Sequence, residues 1–207
     1  VEAVVPSLRC TEAFSLKSSV SDASGRACEL VVDFVKADDA KSLGLSIDTS
    51  DDDRLHIIGL QDGLVRAYNR VAPPQSQIMA GDYIVAVNDV EGDALEMLKK
   101  CRDEPTVALK IRRPVDWRVT IRRASDMDSW GMRLAYNTES KSLLVRAVDP
   151  GLVEEWNRAN PTAQVLPHDR VIAVNGVKGV PEQMVNALRT SPECVLDMSR
   201  PVEARPP

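Results

Sequence analysis

Apolar and polar positions alternate in several stretches of this chain, and the stretches come in pairs. Trp117, Val119 and Ile121 alternate with Arg118, Thr120 and Arg122, the period-two pattern of a half-buried strand. Leu30, Val32 and Phe34 hold the same phase earlier in the chain. Short strands are predicted at Leu45-Ser46-Ile47 and Met132-Arg133-Leu134, then longer ones around Leu55–Leu60 and Leu143–Val148. Residues 84–87 and 171–174 are wholly apolar and predict buried strands, the second followed by the tight-turn dipeptide Asn175-Gly176. Val107, Leu109 and Ile111, matched by Cys194, Leu196 and Met198, predict a last strand in each half.

Helical spacing separates these strands. Leu152, Val153 and Trp156 fall on one face after Asp149-Pro150, which predicts a cap followed by proline in the first turn. Asp93 with Glu96 three positions on predicts a capping box opening a second helix, whose apolar face is Met97, Leu98 and Cys101. Its counterpart starts at Pro181 and carries Met184, Val185 and Leu188.

The pairing is a repeat. Gly81-Asp82-Tyr83-Ile84-Val85-Ala86-Val87-Asn88-Asp89-Val90-Glu91-Gly92 and His168-Asp169-Arg170-Val171-Ile172-Ala173-Val174-Asn175-Gly176-Val177-Lys178-Gly179 share six of twelve residues at an offset of 87. The same offset relates Ser42-Leu43-Gly44-Leu45 to Ser129-Trp130-Gly131-Met132, and Arg113-Pro114 to Arg200-Pro201. Leu64-Val65 and Tyr68-Asn69-Arg70 match Leu152-Val153 and Trp156-Asn157-Arg158 at 88, so one residue is gained or lost nearby. Each copy reads β-β-β-α-β-(β)-α-β, and the joint at residues 112–116 is short enough to predict a semi-rigid pair.

This order of elements resembles the PDZ family over residues 29–201, through two features present twice: the loop x-Φ-G-Φ and the stretch G-D-x-I-x-x-V-N-G. Both loops depart from the family's usual G-Φ-G-Φ by opening on serine, and Asp89 stands where glycine is usual. The resemblance implies an α+β, mainly β fold of two tandem PDZ-like modules, each a small, partly open five- to six-stranded barrel with two helices. The expected divisions are an N-terminal arm at 1–28, modules at 29–114 and 115–201, and a C-terminal tail at 202–207. It further implies peptide-binding grooves where an extended ligand adds to a free strand edge. Leu43-Gly44-Leu45 and Trp130-Gly131-Met132 would supply amides for a ligand carboxylate; a tight turn aims several N–H groups at one anion, and glycine keeps a side chain out of its way. Leu45-Ser46-Ile47 and Met132-Arg133-Leu134 would be the pairing strands. Ala94 and Pro181 open the groove helices; Leu98 and Cys101, or Val185 and Leu188, would line the terminal pocket; Lys36 and Arg123 would assist the carboxylate through water. With no histidine opening either helix, apolar Φ-x-Φ tails are the expected ligands.

Composition narrows the classes. The 207 residues, 43% hydrophobic and 28% charged, suit two globular domains, and a formal charge of −5 argues against nucleic acid. No apolar run reaches the roughly 18–20 residues of a membrane span. Catalytic residues, cofactors and a metal site are not expected: there is no Ser/His/Asp set, phosphate-cradling loop or metal-ligand cluster. His56 and His168 are isolated, and His168, aligned with Gly81, is expected at the surface. Asp48, Asp51, Asp52 and Asp53 lack a calcium-loop pattern and predict a solvated turn. Arg112-Arg113 and Arg122-Arg123 predict a solvated strand face. Trp130 reads equally as packing or pocket wall. Cys101 and Cys194 are expected as buried thiols, while a Cys10–Cys28 bridge is left open.

Residues 1–28 fit neither repeat; a disordered leader is expected, with a docking arm as the other reading. The start at Val1 implies a processed form or a fragment, so a soluble or peripheral protein, cytoplasmic or organellar if a targeting segment was removed. Two functions remain. One is a non-catalytic scaffold or adaptor for proteins with apolar C-terminal tails or exposed β-segments. The other is a constitutive extrinsic subunit of a large membrane-associated or organellar complex, a photosynthetic one included, with degenerate grooves.

Overall fold

The structure, a computed structural model, describes residues 13–21, 27–36, 42–125 and 127–202. The first half runs β1 (Phe14–Ser21), β2 (Ala27–Val35), β3 (Leu45–Asp48), β4 (Leu55–Leu60), α1 (Leu64–Val71), β5 (Tyr83–Val87), β6 (Val90–Glu91), α2 (Ala94–Asp103) and β7 (Thr106–Arg112). The second runs β8 (Pro114–Arg122), β9 (Met132–Ala135), β10 (Leu143–Val148), α3 (Leu152–Ala159), β11 (Arg170–Val174), β12 (Val177–Lys178), α4 (Pro181–Thr190) and β13 (Glu193–Pro201). From β2 to β7 and again from β8 to β13 the order is the one the periodicity predicts.

Each half forms its own antiparallel sheet. The strands lie β1-β2-β7-β5-β4-β3 in one, with β6 on β5, and β8-β13-β11-β10-β9 in the other, with β12 on β11. Alternation sends Val107, Leu109 and Ile111 of β7 into the first core beside Leu30, Val32 and Phe34. Val119, Ile121, Cys194, Leu196 and Met198 do the same in the second. Each fully buried aliphatic or aromatic side chain contributes about 1.5–3 kcal/mol. Leu109→Ala, at a fully buried position, removes about 2–5 kcal/mol.

Part of the expected leader is sheet. Residues 14–21 form β1, antiparallel to β2 with Phe14 opposite Phe34, and Phe14 meets the Tyr68 ring edge-on at 5.7 Å. Cys10, and with it the Cys10–Cys28 question, lies outside the described residues. The cap expected at Asp149 is not formed: Gly151 precedes α3 without a side-chain cap, and the Asp149 carboxylate pairs with Arg133 at 2.9 Å. Asp93 does cap α2, accepting from the Glu96 amide at 2.9 Å.

The motif's polar residues hold the modules closed. Asp82 accepts from Met79 N–H and pairs with Arg113; Asp169 accepts from Leu166 N–H and pairs with Arg200 at 2.7 Å. Asn88 and Asn175 adopt left-handed backbone (φ 54° and 50°) and accept from the Ala108 and Val195 amides.

The halves are joined by a single residue between strands, Arg113, and it is buried against Asp82 and the Gln75 and Gln77 carbonyls. This corrects the solvated reading for three of the four arginines: Arg112 also bonds Glu29, and Arg123 bonds the Arg189 and Ser191 carbonyls, while Arg122 is exposed as expected. The acidic turn is corrected too. Asp48 and Asp51 are buried, and the loop docks on the second half: Asp48 on Arg170 at 2.9 Å, Asp52 on Arg146, Asp51 and Asp53 on His168. A buried carboxylate needs such partners, because its charge is otherwise desolvated without compensation. His168 is accordingly half-buried rather than a bare surface residue.

Candidate peptide-binding grooves

In the first module, Gly44 turns the chain between β2 and β3 with φ 73°. A Cβ there would lie 2.7 Å from the Gln61 carbonyl oxygen, so the position takes glycine for conformation and for space. The loop is fastened from behind by the start of α1. Leu64 and Val65 N–H groups, unpaired within their own helix, donate to the Ser42 and Leu43 carbonyls at 3.0 Å. Gly63 allows this approach, since a Cβ there would sit 2.5 Å from the Ser42 carbonyl oxygen. Ser42 Oγ accepts from Gly44 N–H at 3.1 Å, which leaves the serine O–H available as a donor.

Beyond the loop, β3 is an edge strand: it pairs with β4 on one side and with no strand on the other among the described residues. Between this edge and α2 lies a cavity of about 370 Å3. Its apolar wall is Leu43, Leu45, Ile47, Leu55, Ile84, Leu98 and Cys101; Ser42, Lys36 and Arg102 supply its polar part. Of the residues singled out by resemblance, Lys36, Leu43, Leu45, Ile47, Leu98 and Cys101 thus meet at one place. Lys36 Nζ is held by the Cys101 and Arg102 carbonyls at the α2 C-terminus, where the helix dipole favours a cation. Ser46 accepts from the Gln61 side chain. Ala94 is buried at the head of α2 and gives its amide to the Asp52 carbonyl at 2.8 Å. Burial pushes the Cys101 thiol up to about 11, so it is a neutral lining group.

The second module repeats the scaffold. Gly131 has φ 69°, the Leu152 and Val153 amides hold the Ser129 and Trp130 carbonyls at 3.0 Å, and β9 is again an edge strand. The difference is Trp130 in place of Leu43. Its indole N–H donates to the Leu188 carbonyl of α4 at 2.9 Å, and Arg123 lies 5.2 Å over its ring. The indole therefore spans from the loop to the groove helix and packs on the core with Met132, Leu134 and Val185. Leu188 and Pro181 are buried; Arg133 is exposed and paired to Asp149.

Resemblance pointed to most of these residues, but not to Leu55, Ile84 or Arg102, nor to the supporting glycines. The recurrence of Gly63-Leu64-Val65 as Gly151-Leu152-Val153 was the available signal for the latter. Asp51, Asp53 and His168 approach one another closely enough to raise a metal site. However, the two imidazole nitrogens face different carboxylates, Nδ1 to Asp51 at 2.9 Å and Nε2 to Asp53 at 3.4 Å, so the ring bridges the two side chains.

No protein-family model matches the chain, and no curated protein matches it. A solved structure described as the complex of INAD PDZ45 and NORPA CC-PBM matches 85% of this chain and 95% of that chain, at 16% identity and a TM-score of 0.36. That likeness is too distant to carry weight by itself. No helix among the described residues is long and apolar enough to cross a membrane. By strand order, glycine loop and edge strand, repeated in both halves, the chain consists of two tandem modules of one architecture, one with a cavity beside its edge strand and the other with Trp130 bonded to its facing helix.

Proposed function

We propose that this chain is a non-catalytic adaptor that captures the apolar C-terminal tail, or an extended apolar segment, of another protein in the groove of its first module. The observation that carries the reading is the apolar cavity lying between an unpaired strand edge and α2, beneath a glycine turn. A ligand strand would pair with Leu45-Ser46-Ile47, and its last side chain would enter between Leu98, Cys101 and Leu43. Loop amides other than that of Gly44, which already bonds Ser42 Oγ, and the Ser42 O–H would receive the terminal carboxylate, with Lys36 and Arg102 providing positive charge nearby.

Burying one aliphatic side chain contributes about 1.5–3 kcal/mol, and each main-chain hydrogen bond about 0.5–1.5 kcal/mol net. The cost of association offsets part of that gain, so a weak, reversible complex is expected; micromolar affinity corresponds to about −8 kcal/mol. The test is calorimetric titration of the whole chain with a peptide ending Val-x-Val, as free acid and as amide. Micromolar binding of the acid, with one site per chain and a loss of about tenfold or more on amidation, is expected. Equal affinity for both forms, or no binding, defeats the reading.

The second reading, a constitutive subunit of a larger assembly that binds through module faces, draws its support from the Trp130-filled groove. It gains if no tail of any sequence binds the wild-type chain.

A further inference from the structure

We infer that the second module sets the shape of the first module's groove: Arg146, His168 and Arg170 are positioning residues for a binding site that lies on the other module. This rests on the peptide-binding reading, and deepens it by naming what holds the site in place.

The groove has two walls, β3 and α2, and one short loop ties the end of the first to the start of the second. Asp48 is the last residue of β3. Its carboxylate is fully buried and meets the equally buried Arg170 at 2.9 Å, while Ser142 accepts from the same guanidinium nitrogen at 3.1 Å. Asp48 also accepts from Ser50 N–H and Oγ at 2.8 and 2.6 Å, which bends the chain toward α2. Four residues after Asp48, the Asp52 carbonyl accepts the first amide of α2, that of Ala94, at 2.8 Å. That amide belongs to the helix end that has no partner of its own. The Asp52 carboxylate is gripped by Arg146, whose other nitrogen takes the Ser50 carbonyl at 2.6 Å. Between these two anchors, the Asp51 carboxylate lies 2.9 Å from His168 Nδ1.

Asp48, Ser50, Asp51 and Asp52 of this loop thus each meet the second module. β3 cannot slide, and α2 cannot tilt at its head, without moving a loop whose buried charge is matched from outside its own domain. β3 itself is short, pairs on one side only, and shifts register between Ser46 and Ile47, so its own sheet holds it weakly. The joint adds no slack, because Arg113 alone separates β7 from β8 and is buried.

The device is one-sided. In the second module, α4 begins with Pro181, which has no amide to offer, so the corresponding loop, turned by Asn137 and Ser140 and touching Thr49 at 3.4 Å, cannot tether its helix head in the same way. His168 points the same way: it holds φ 70°, in the left-handed region where the first module places Gly81 at φ 97°. A side chain is disfavoured there, and this one reaches both Asp51 and Asp53.

The test uses the whole chain carrying Arg146→Ala and His168→Gly together. Arg146 is part-exposed, and glycine suits the His168 backbone, so the variant is expected to fold. Amide hydrogen exchange, without peptide, should quicken about tenfold or more at residues 45–48 and at Ala94 while the cores of both modules keep wild-type protection. The same variant should bind the Val-x-Val acid about tenfold more weakly with one site per chain, and Arg146→Lys with His168 intact should recover most of the affinity. By reciprocity, saturating peptide should slow exchange at residues 168–170 in the wild type. Unchanged exchange at 45–48 and Ala94 overturns the inference whatever the peptide does. Unchanged affinity in a folded variant overturns it as well. If the wild type binds no tail, the peptide reading falls, and the exchange comparison still decides whether the loop is held from the second module.

Discussion

Leu43 and Trp130 stand at the same place in two copies of one loop, and nearly everything around them is shared. The following glycine is left-handed in both, and the same two helix amides hold the same two carbonyls at the same 3.0 Å. Leu43 ends in the core and leaves a cavity beside it; Trp130 continues across and bonds the far wall through Leu188. The loop therefore has a duty independent of ligands. It satisfies the amide ends of α1 and α3, and that duty is the same whether leucine or tryptophan precedes the glycine. Its sequence pattern reports the fold, and on the adaptor reading proposed above the residue before the glycine decides whether there is room for a ligand.

The largest expected effect separates those two duties. Gly44→Val forces a side chain against the Gln61 and Asp62 carbonyl oxygens at left-handed φ, and Gly131→Val does so against the Asp149 carbonyl oxygen. Each should lower stability by a similar amount, about 1–3 kcal/mol for the backbone alone. Only the first should abolish tail binding, by about 100-fold or more. Chemical denaturation and titration of both variants check this; equal loss of binding from either glycine would show that the second groove is in use.

Exchanging the residue before the glycine comes next. Trp130→Leu removes the indole bridge to Leu188 and the ring beneath Arg123, and should open a second site, raising the peptide stoichiometry from one to two. Leu43→Trp should close the first site, weakening binding by about tenfold or more. If Trp130→Leu leaves one site, closure of the second groove has a cause beyond the indole, and the comparison fails there.

How much of this could be read from the chain follows physical lines. Strands such as Val107-Leu109-Ile111 were legible because burial alternates with the backbone, and the repeat made each assignment twice. The Asp93 cap was legible because its partner, the Glu96 amide, is three residues away. Asp149 was misread by the same local rule, since its carboxylate is engaged by Arg133. The fastening of Asp48, Asp51 and Asp52 was not legible at all. Their partners lie in the other module, and a buried aspartate is spelled like a solvated one. Nor could the letters say which way the Trp130 ring points. β1 was missed because serines at positions 15, 18, 19 and 21 dilute its alternation, while its pairing partner β2 lies in the repeat it was thought to precede.

The last comparison is of a buried pair of equivalent positions, His56 and Leu144, which sit opposite Tyr83 and Arg170 in their sheets. Burial, with the Arg170 charge adding to it, pushes the His56 imidazole down to about 3, and its ring lies 4.9 Å from that of Tyr83. A histidine depressed in the fold is neutral there, while the unfolded chain takes up a proton below its ordinary value of 6.5. Stability is therefore unaffected above that value and falls as pH drops from 6.5 toward 3. At about pH 5 the loss amounts to about 2 kcal/mol. Asp169 acts with the opposite sign: burial raises it to about 6, so the folded state gains a proton first, and stability rises as pH falls from 6 toward 3.8. His56→Leu, which installs the second module's residue, removes the first slope and leaves the second. The stability difference between variant and wild type, from urea denaturation, should shift in the variant's favour by about 2 kcal/mol between about pH 7 and about pH 5. A difference independent of pH would mean that His56 is open to water, and that the first sheet is less tightly closed at β4 than the second is at β10.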